Sequence, residues 1–276
     1  MKRIFHAVAC AAFLMPCIAS AQSAGSNVVS LGWLHAFPQD SSSSLSTYVA
    51  PTPMTGALGL PPSFNSPGTG LSVGQADTLG ITFSHFLTDQ FAVTALAGVP
   101  PKFQVYGSGT IAPPGPAGTL GTQNIGLGAV NPVVKSARLW SPAVILQYYF
   151  GQPTSRFRPF LGVGASYNWF SDVQLGNNFI AQTRNTLGQV LAAGAGKPGP
   201  TQVSADASSS WQPVFNAGFL FDITEHWGLL ASLTYMPLKT TTSVTIKAAD
   251  GTALAVSKSD LKADPLITFL AVSYKF

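Results

Sequence analysis

From residue 27 onward, apolar and polar positions alternate with period two, the signature of strands with one apolar face. Val29, Leu31 and Trp33 share a face with His35 and Phe37, while Ser30, Gly32, Leu34 and Ala36 take the other. Over 78–86, Leu79, Ile81 and Phe83 oppose Thr78, Gly80, Thr82 and Ser84. Over 91–98, Phe91, Val93, Ala95 and Ala97 oppose Ala92, Thr94, Leu96 and Gly98. Segments near 136–150, 157–170, 210–222, 227–240 and 263–276 fit the same scheme. The pattern predicts eight strands.

The connections alternate in length. Residues 87–90, 151–156 and 223–226 are tight turns, whereas 38–76, 100–134, 171–209 and about 241–262 are long and rich in Gly, Pro, Ser and Thr. Outer-membrane barrels are built this way, with short periplasmic turns, long extracellular loops and an even strand count. The expected fold is therefore all-β: an eight-stranded antiparallel transmembrane β-barrel whose uniformly apolar face meets lipid. All five Trp (Trp33, Trp140, Trp169, Trp211, Trp227) fall at or near strand ends, where interfacial girdles place such rings. A secreted sandwich would need a charged outer face, and these strands offer almost none.

Composition sharpens this. Only 9% of the 276 residues are charged, against roughly 25% in an ordinary soluble domain. The formal net charge is +4, with no Lys/Arg cluster beyond the extreme N-terminus, so no nucleic-acid partner is expected. Lys2 and Arg3 precede an apolar run over 4–18 and Ala19-Ser20-Ala21, which reads as a cleaved signal peptide at 1–21 before a single barrel domain at 22–276. Both cysteines, Cys10 and Cys17, lie in that leader, so no disulfide framework is expected in the mature chain. At the other end Leu270, Val272, Tyr274 and Phe276 alternate up to a terminal Phe, as in barrels that present a last strand to the assembly machinery.

Eight strands enclose room for side chains or one small ligand, not an open aqueous pore. The inward mid-height positions are Leu34, Thr82, Thr94, Leu96, Ile145, Gly162, Gly164, Leu220, Leu230, Ser232, Thr234, Met236, Ile267 and Phe269, none of them ionisable. The inward charges Arg158, Asp222 and Lys275 gather near the short-turn end, as either a polar plug or an ordinary charged rim. An apolar pocket above a closed floor suits a hydrophobic solute that enters from outside and leaves sideways into lipid.

Catalysis is not expected. His35 and His85 fall at opposite barrel ends, Ser84 and His85 point to opposite faces, and His226 sits in a short turn beside the only Glu, Glu225. No HExxH, CxxC or phosphate-binding glycine loop stands in a suitable context, so neither metal nor cofactor is expected. Asp250-Gly251 predicts a hairpin tip within the fourth loop, and 177–190 could form a short helix.

Several segments resemble the outer membrane protein W family. Residues 78–101 (TLGITFSHFLTDQFAVTALAGVPP) are similar to its second-hairpin region, with the Thr-Asp turn. Residues 141–170 (SPAVILQYYFGQPTSRFRPFLGVGASYNWF) carry a proline-bearing strand ending Gln-x-Tyr-Phe, then Phe-Arg-Pro-aromatic, Gly-x-Gly and an Asn-containing end. Residues 211–241 and the ending from Asp264-Pro265 to Phe276 also match. The resemblance implies an eight-stranded barrel with an apolar interior that passes small hydrophobic compounds, alkane-like ones included, through a lateral opening, with Leu96 and Met236 lining the route. The long loops depart from the family, so ligand choice does not carry over. The alternatives are a structural or adhesive barrel with a filled lumen and partner-binding loops, and a lipid-modifying barrel enzyme.

Overall fold

The structure, a computed structural model, describes residues 23–276; the expected leader at 1–21 lies outside the described residues. Eight strands form the barrel: β1 (Asn27–Phe37), β2 (Ala76–Phe86), β3 (Phe91–Gly98), β4 (Ala143–Tyr149), β5 (Phe157–Leu175), β6 (Ser210–Asp222), β7 (Trp227–Tyr235) and β8 (Leu266–Lys275). Each pairs antiparallel with its sequence neighbour. Closure comes from β8 against β1, running from Val28 opposite Lys275 to Phe37 opposite Leu266. Closure leaves no free strand edge in lipid apart from one interruption between β3 and β4.

The two faces invert the usual soluble pattern. In β4, Ala143, Ile145, Gln147 and Tyr149 point inward and are buried, while Val144, Leu146 and Tyr148 are exposed on the outer wall. Leu31, Leu79, Leu161 and Leu270, all more than half exposed, complete an apolar band that only hydrocarbon can cover. Aromatic rings bound it at both heights. Near the extracellular side Trp140 stacks on Trp169, and Tyr167 links Trp169 to Trp211. At the short-turn side Trp227, Tyr274 and Phe276 form a second run.

The long loops are built, not irregular. β5 has nineteen residues, about 60 Å at roughly 3.3 Å each, far more than an apolar band of about 25 Å requires. Its upper part pairs with Val134–Trp140, which pairs with Lys102–Ser108, which pairs with Gly70–Val73. A second sheet runs in the order Gln202–Ala207, Lys239–Lys247, Ala253–Lys262, Leu45–Val49, Ser63–Ser66. Three short α-helices and a 3₁₀ helix over Gly115–Leu120 complete this extracellular cap: α1 (Pro53–Ala57), α2 (Asn177–Thr183) and α3 (Gln189–Gly194), the last two joined by a π-helical turn over Arg184–Gly188. α1 is fixed by a reciprocal cap, in which Thr55 N donates to Thr52 Oγ1 and Thr52 N donates to Thr55 Oγ1. Leu45, Phe64, Ile125, Phe179, Leu191 and Leu254 give the cap an apolar core of its own.

Asp250-Gly251 sits at the tip of the hairpin formed by Lys239–Lys247 and Ala253–Lys262, with Gly251 at φ 87°. Lys197 Nζ lies 2.6 Å from both Asp250 Oδ2 and Thr252 Oγ1, tying this tip to the loop after α3. The Lys197 hydrogen bond, helped by Thr252, holds the Asp250 carboxyl below the ordinary carboxylate range. A depressed folded-state pKa stabilises above the unfolded value and is lost as pH falls through the folded one. Protection factors of the amides over 248–252, taken relative to the intrinsic rate at each pH, should therefore hold at pH 5 and fall only well below pH 4, about the unfolded carboxylate value.

Candidate functional site

The wall is interrupted at one place. β3 and β4 pair up to Leu96 opposite Ala143, and pairing resumes only where Lys102 faces Arg138. Residues 97–101 and 139–142 lie between, held by a bond from Leu139 N to Pro101 O. The cause is local chemistry: Pro100, Pro101 and Pro142 have no N–H to give a ladder. The expected strand over 136–150 is accordingly two strands, broken at Ser141-Pro142.

A cavity of about 320 Å³ occupies this gap. Its inner wall includes Leu34, Leu96, Thr234, Met236 and Ile267, and its outer rim Leu79, Val99 and Trp140, all three exposed on the lipid side. A second cavity of about 130 Å³ lies in the cap, walled mainly by apolar side chains with a minority of Thr and Ser hydroxyls and Gln123 among them. The two share Phe103, Leu139 and Pro265 as a common partition. Asp206, the one ionisable residue lining the cap cavity, is exposed on the edge strand Gln202–Ala207.

Below the wall cavity the barrel is filled. A cavity of about 20 Å³ lies there, room for about one water. Ile145, Leu220, Leu230 and Phe269 face only this space, whereas Leu34, Leu96, Thr234 and Ile267 border both regions and Met236 only the upper. A polar band supplies much of the filling. Thr94 Oγ1 donates to Gln147 Oε1 at 2.6 Å, so its contact with Ser84 Oγ at 2.7 Å takes the serine proton. Gln147 Nε2 donates to Asn216 Oδ1 at 2.7 Å, and Asn216 Nδ2 to Thr234 Oγ1 at 2.9 Å. Tyr149 adds a bond to Gln147 Oε1. Thr94 and Thr234 are among the inward mid-height positions the sequence predicts; Asn216 falls on the inward face of its strand by parity but not among them, and Gln147 carries no such signal.

Gly162 makes this band possible. On β5 it lies between Gln147 of β4 and Asn216 of β6, and without a side chain it lets the two amides meet across it. A Cβ there would stand 2.8 Å from Ile145 Cγ2 and 2.9 Å from Gln147 Cγ. Gly162→Ala should lower stability by about 1–3 kcal/mol, the usual cost of overpacking, in urea unfolding from lipid vesicles. Unchanged unfolding would show that the crossing tolerates displacement.

At the short-turn end Arg158 is fully buried between the rings of Phe86 and Tyr149 and donates from Nη2 to Asp89 O. Lys275 Nζ lies 2.7 Å from Asp222 Oδ2. Arg158 sits in the field of both Asp222 and Asp89. The histidines are dispersed: His35 Nδ1 meets Asp77 Oδ1 at 2.6 Å, His85 Nδ1 meets Asn27 Oδ1 at 2.8 Å, and His226 Nδ1 meets Lys275 O at 3.1 Å.

Eight antiparallel strands, a lipid-facing apolar band, two aromatic belts, short turns at one end and a large cap at the other define a small outer-membrane β-barrel of a Gram-negative bacterium. The OmpW family model matches residues 45–276, and the chain belongs to that family. It is 28% identical over 207 residues to outer membrane protein W of Vibrio cholerae serotype O1, covering 75% of this chain and 76% of that one. It is 23% identical over 210 residues to the dibenzothiophene metabolism operon protein PahQ of Pseudomonas aeruginosa, covering 76% of each. The crystal structure of the outer membrane protein OprG from Pseudomonas aeruginosa shares its fold, with a TM-score of 0.66 at 23% identity over 93% of this chain and 99% of that one.

Proposed function

We propose that the barrel passes small hydrophobic molecules across the outer leaflet without catalysis, taking them from the cap cavity to the wall cavity and releasing them sideways into the membrane. The observation that carries this is the contrast between a cavity of about 320 Å³ bordering lipid and about 20 Å³ of space along the barrel axis below it. A solute that reaches Leu96 and Met236 meets a hydrogen-bonded band beneath and apolar surface beside it. Desolvation drives entry, at about 25 cal/mol per Å² of apolar area buried. The name of one relative, from a dibenzothiophene metabolism operon, agrees with an apolar aromatic cargo.

Naphthalene uptake by proteoliposomes tests the reading, and uptake should exceed that of protein-free vesicles. Charged solutes of similar size, such as naphthalene sulfonate, should not be taken up faster than in protein-free vesicles. Equal rates with and without protein would leave a structural or adhesive barrel.

A further inference from the structure

The cap cavity holds a polar group that its packing does not use up. Gln123 is only 2% exposed, in the two-residue strand Gln123–Asn124 opposite Thr110–Ile111, and its side chain lines the cavity. Gln123 Nε2 lies 2.6 Å from Thr183 Oγ1 on α2. The Thr183 hydroxyl gives its single proton to Phe179 O at 2.8 Å. Thr183 can then only accept from Gln123, which fixes the amide with its nitrogen toward the threonine. Gln123 is left with a carbonyl oxygen and a second N–H that have no partner among the described residues.

The other hydroxyls of the wall are differently placed. Thr240, Thr242 and Ser259 give their protons to the carbonyls of Ser208, Ser259 and Ser43, Thr47 pairs with Ser257, and Ser243 stands at a partly exposed position of Lys239–Lys247. Around Gln123 the walls are Ile111, Leu120, Ile125, Phe179 and Leu187, which satisfy nothing. An amide edge that faces an apolar cavity without a protein partner offers hydrogen bonds that a bound polar group can take up.

We propose that Gln123 is a specificity residue that selects hydrophobic solutes carrying a single neutral hydroxyl, an alcohol or a phenol. One hydroxyl atom serves both free groups: its proton goes to Gln123 Oε1 and its oxygen accepts from Nε2. An ether or ketone satisfies only the N–H, a hydrocarbon neither. At about 130 Å³ the cavity is on the scale of the roughly 150 Å³ engineered void that takes benzene, so a one- or two-ring solute suits it. This inference rests on the proposed passage of apolar solutes through the cap, but it is a statement about binding and is tested as such.

The test is equilibrium dialysis of naphthalene, 2-methoxynaphthalene and 2-naphthol against the full chain in lipid nanodiscs, with empty nanodiscs subtracted. The native protein should prefer 2-naphthol over naphthalene, with 2-methoxynaphthalene between them. Gln123→Met should retain naphthalene and lower the naphthol-to-naphthalene ratio roughly fivefold, one hydrogen bond's worth. Thr183→Val breaks the same contact but leaves the amide in place, so the ratio should hold or rise. If the two variants behave alike, Gln123 merely braces the cap and the proposal fails. It also fails if the ratio is the same in the native protein and Gln123→Met, or if the native protein binds none of the three. Binding with the expected ratios but no naphthalene uptake by proteoliposomes would sink the passage reading and leave this one standing.

Discussion

Leu96→Arg is expected to cut naphthalene uptake by at least about tenfold, toward the rate of protein-free vesicles. Leu96 borders both the wall cavity and the small space below it, at the last paired position of β3 before the gap. A guanidinium there occupies the cavity and brings its hydration with it. A tenfold slower passage needs only about 1.4 kcal/mol of added barrier, which a hydrated charge in an apolar cavity readily supplies. Thr94 and Gln147 lie just beneath, but their hydrogen bonds are already committed to Ser84, Asn216 and Tyr149. Leu96→Met, which keeps volume and polarity, should leave uptake near native. Heat-modifiable migration in gels separates a blocked barrel from an unfolded one. A folded Leu96→Arg protein with native uptake would place the route elsewhere.

That prediction uses a residue the sequence already marked, and the reason is parity. In a strand one inward residue fixes the direction of every second neighbour. The lipid face is so uniformly apolar that Leu31, Ile81 and Phe83 settle the parity of β1 and β2 without any structure. What parity cannot supply is height and register. Gln147, Gly162 and Asn216 lie on three strands with no common spacing, and only the pairing of β4, β5 and β6 brings them together. Gln147 was visible within the Gln-x-Tyr-Phe motif, but it read there as part of an aromatic strand end. The wall gap was half legible: Pro100, Pro101 and Pro142 signal missing donors, yet nothing local says that they face one another.

The cap was the least legible part. Leu45–Val49 alternates cleanly between buried and exposed, but five residues between a Ser run and a Pro-rich stretch cannot be told from an extended loop. Its partners, Ala253–Lys262 and Ser63–Ser66, come from separate segments of the chain. Gln123 illustrates the same limit. A lone Gln between Gly- and Pro-rich stretches carries no signal until the fold buries it against α2.

Lys275→Met should have the largest effect on stability, about 3 kcal/mol measured by urea unfolding from vesicles, the lower end of the cost of breaking a buried pair. The Lys275 and Asp222 side chains are 4% and 12% exposed and meet at 2.7 Å. Removing the ammonium leaves a buried carboxylate, which costs more than the pair itself contributes. Arg158 moderates the loss because Asp222 lies in its field, hence the lower end of the range. Adding Asp222→Asn to Lys275→Met removes the carboxylate that has lost its ammonium and should restore part of the stability, a positive coupling that a double-mutant cycle reads directly. A single variant within about 0.5 kcal/mol of native, the scatter of surface substitutions, would show that water reaches the pair. Refolding into preformed vesicles keeps cellular assembly at the C-terminal strand out of the comparison. Naphthalene uptake should survive in both variants once refolded, because the proposed route leaves through the wall above Gln147 and Asn216 and never reaches the floor. Loss of uptake in a folded Lys275→Met barrel would mean instead that the solute travels the full length of the axis.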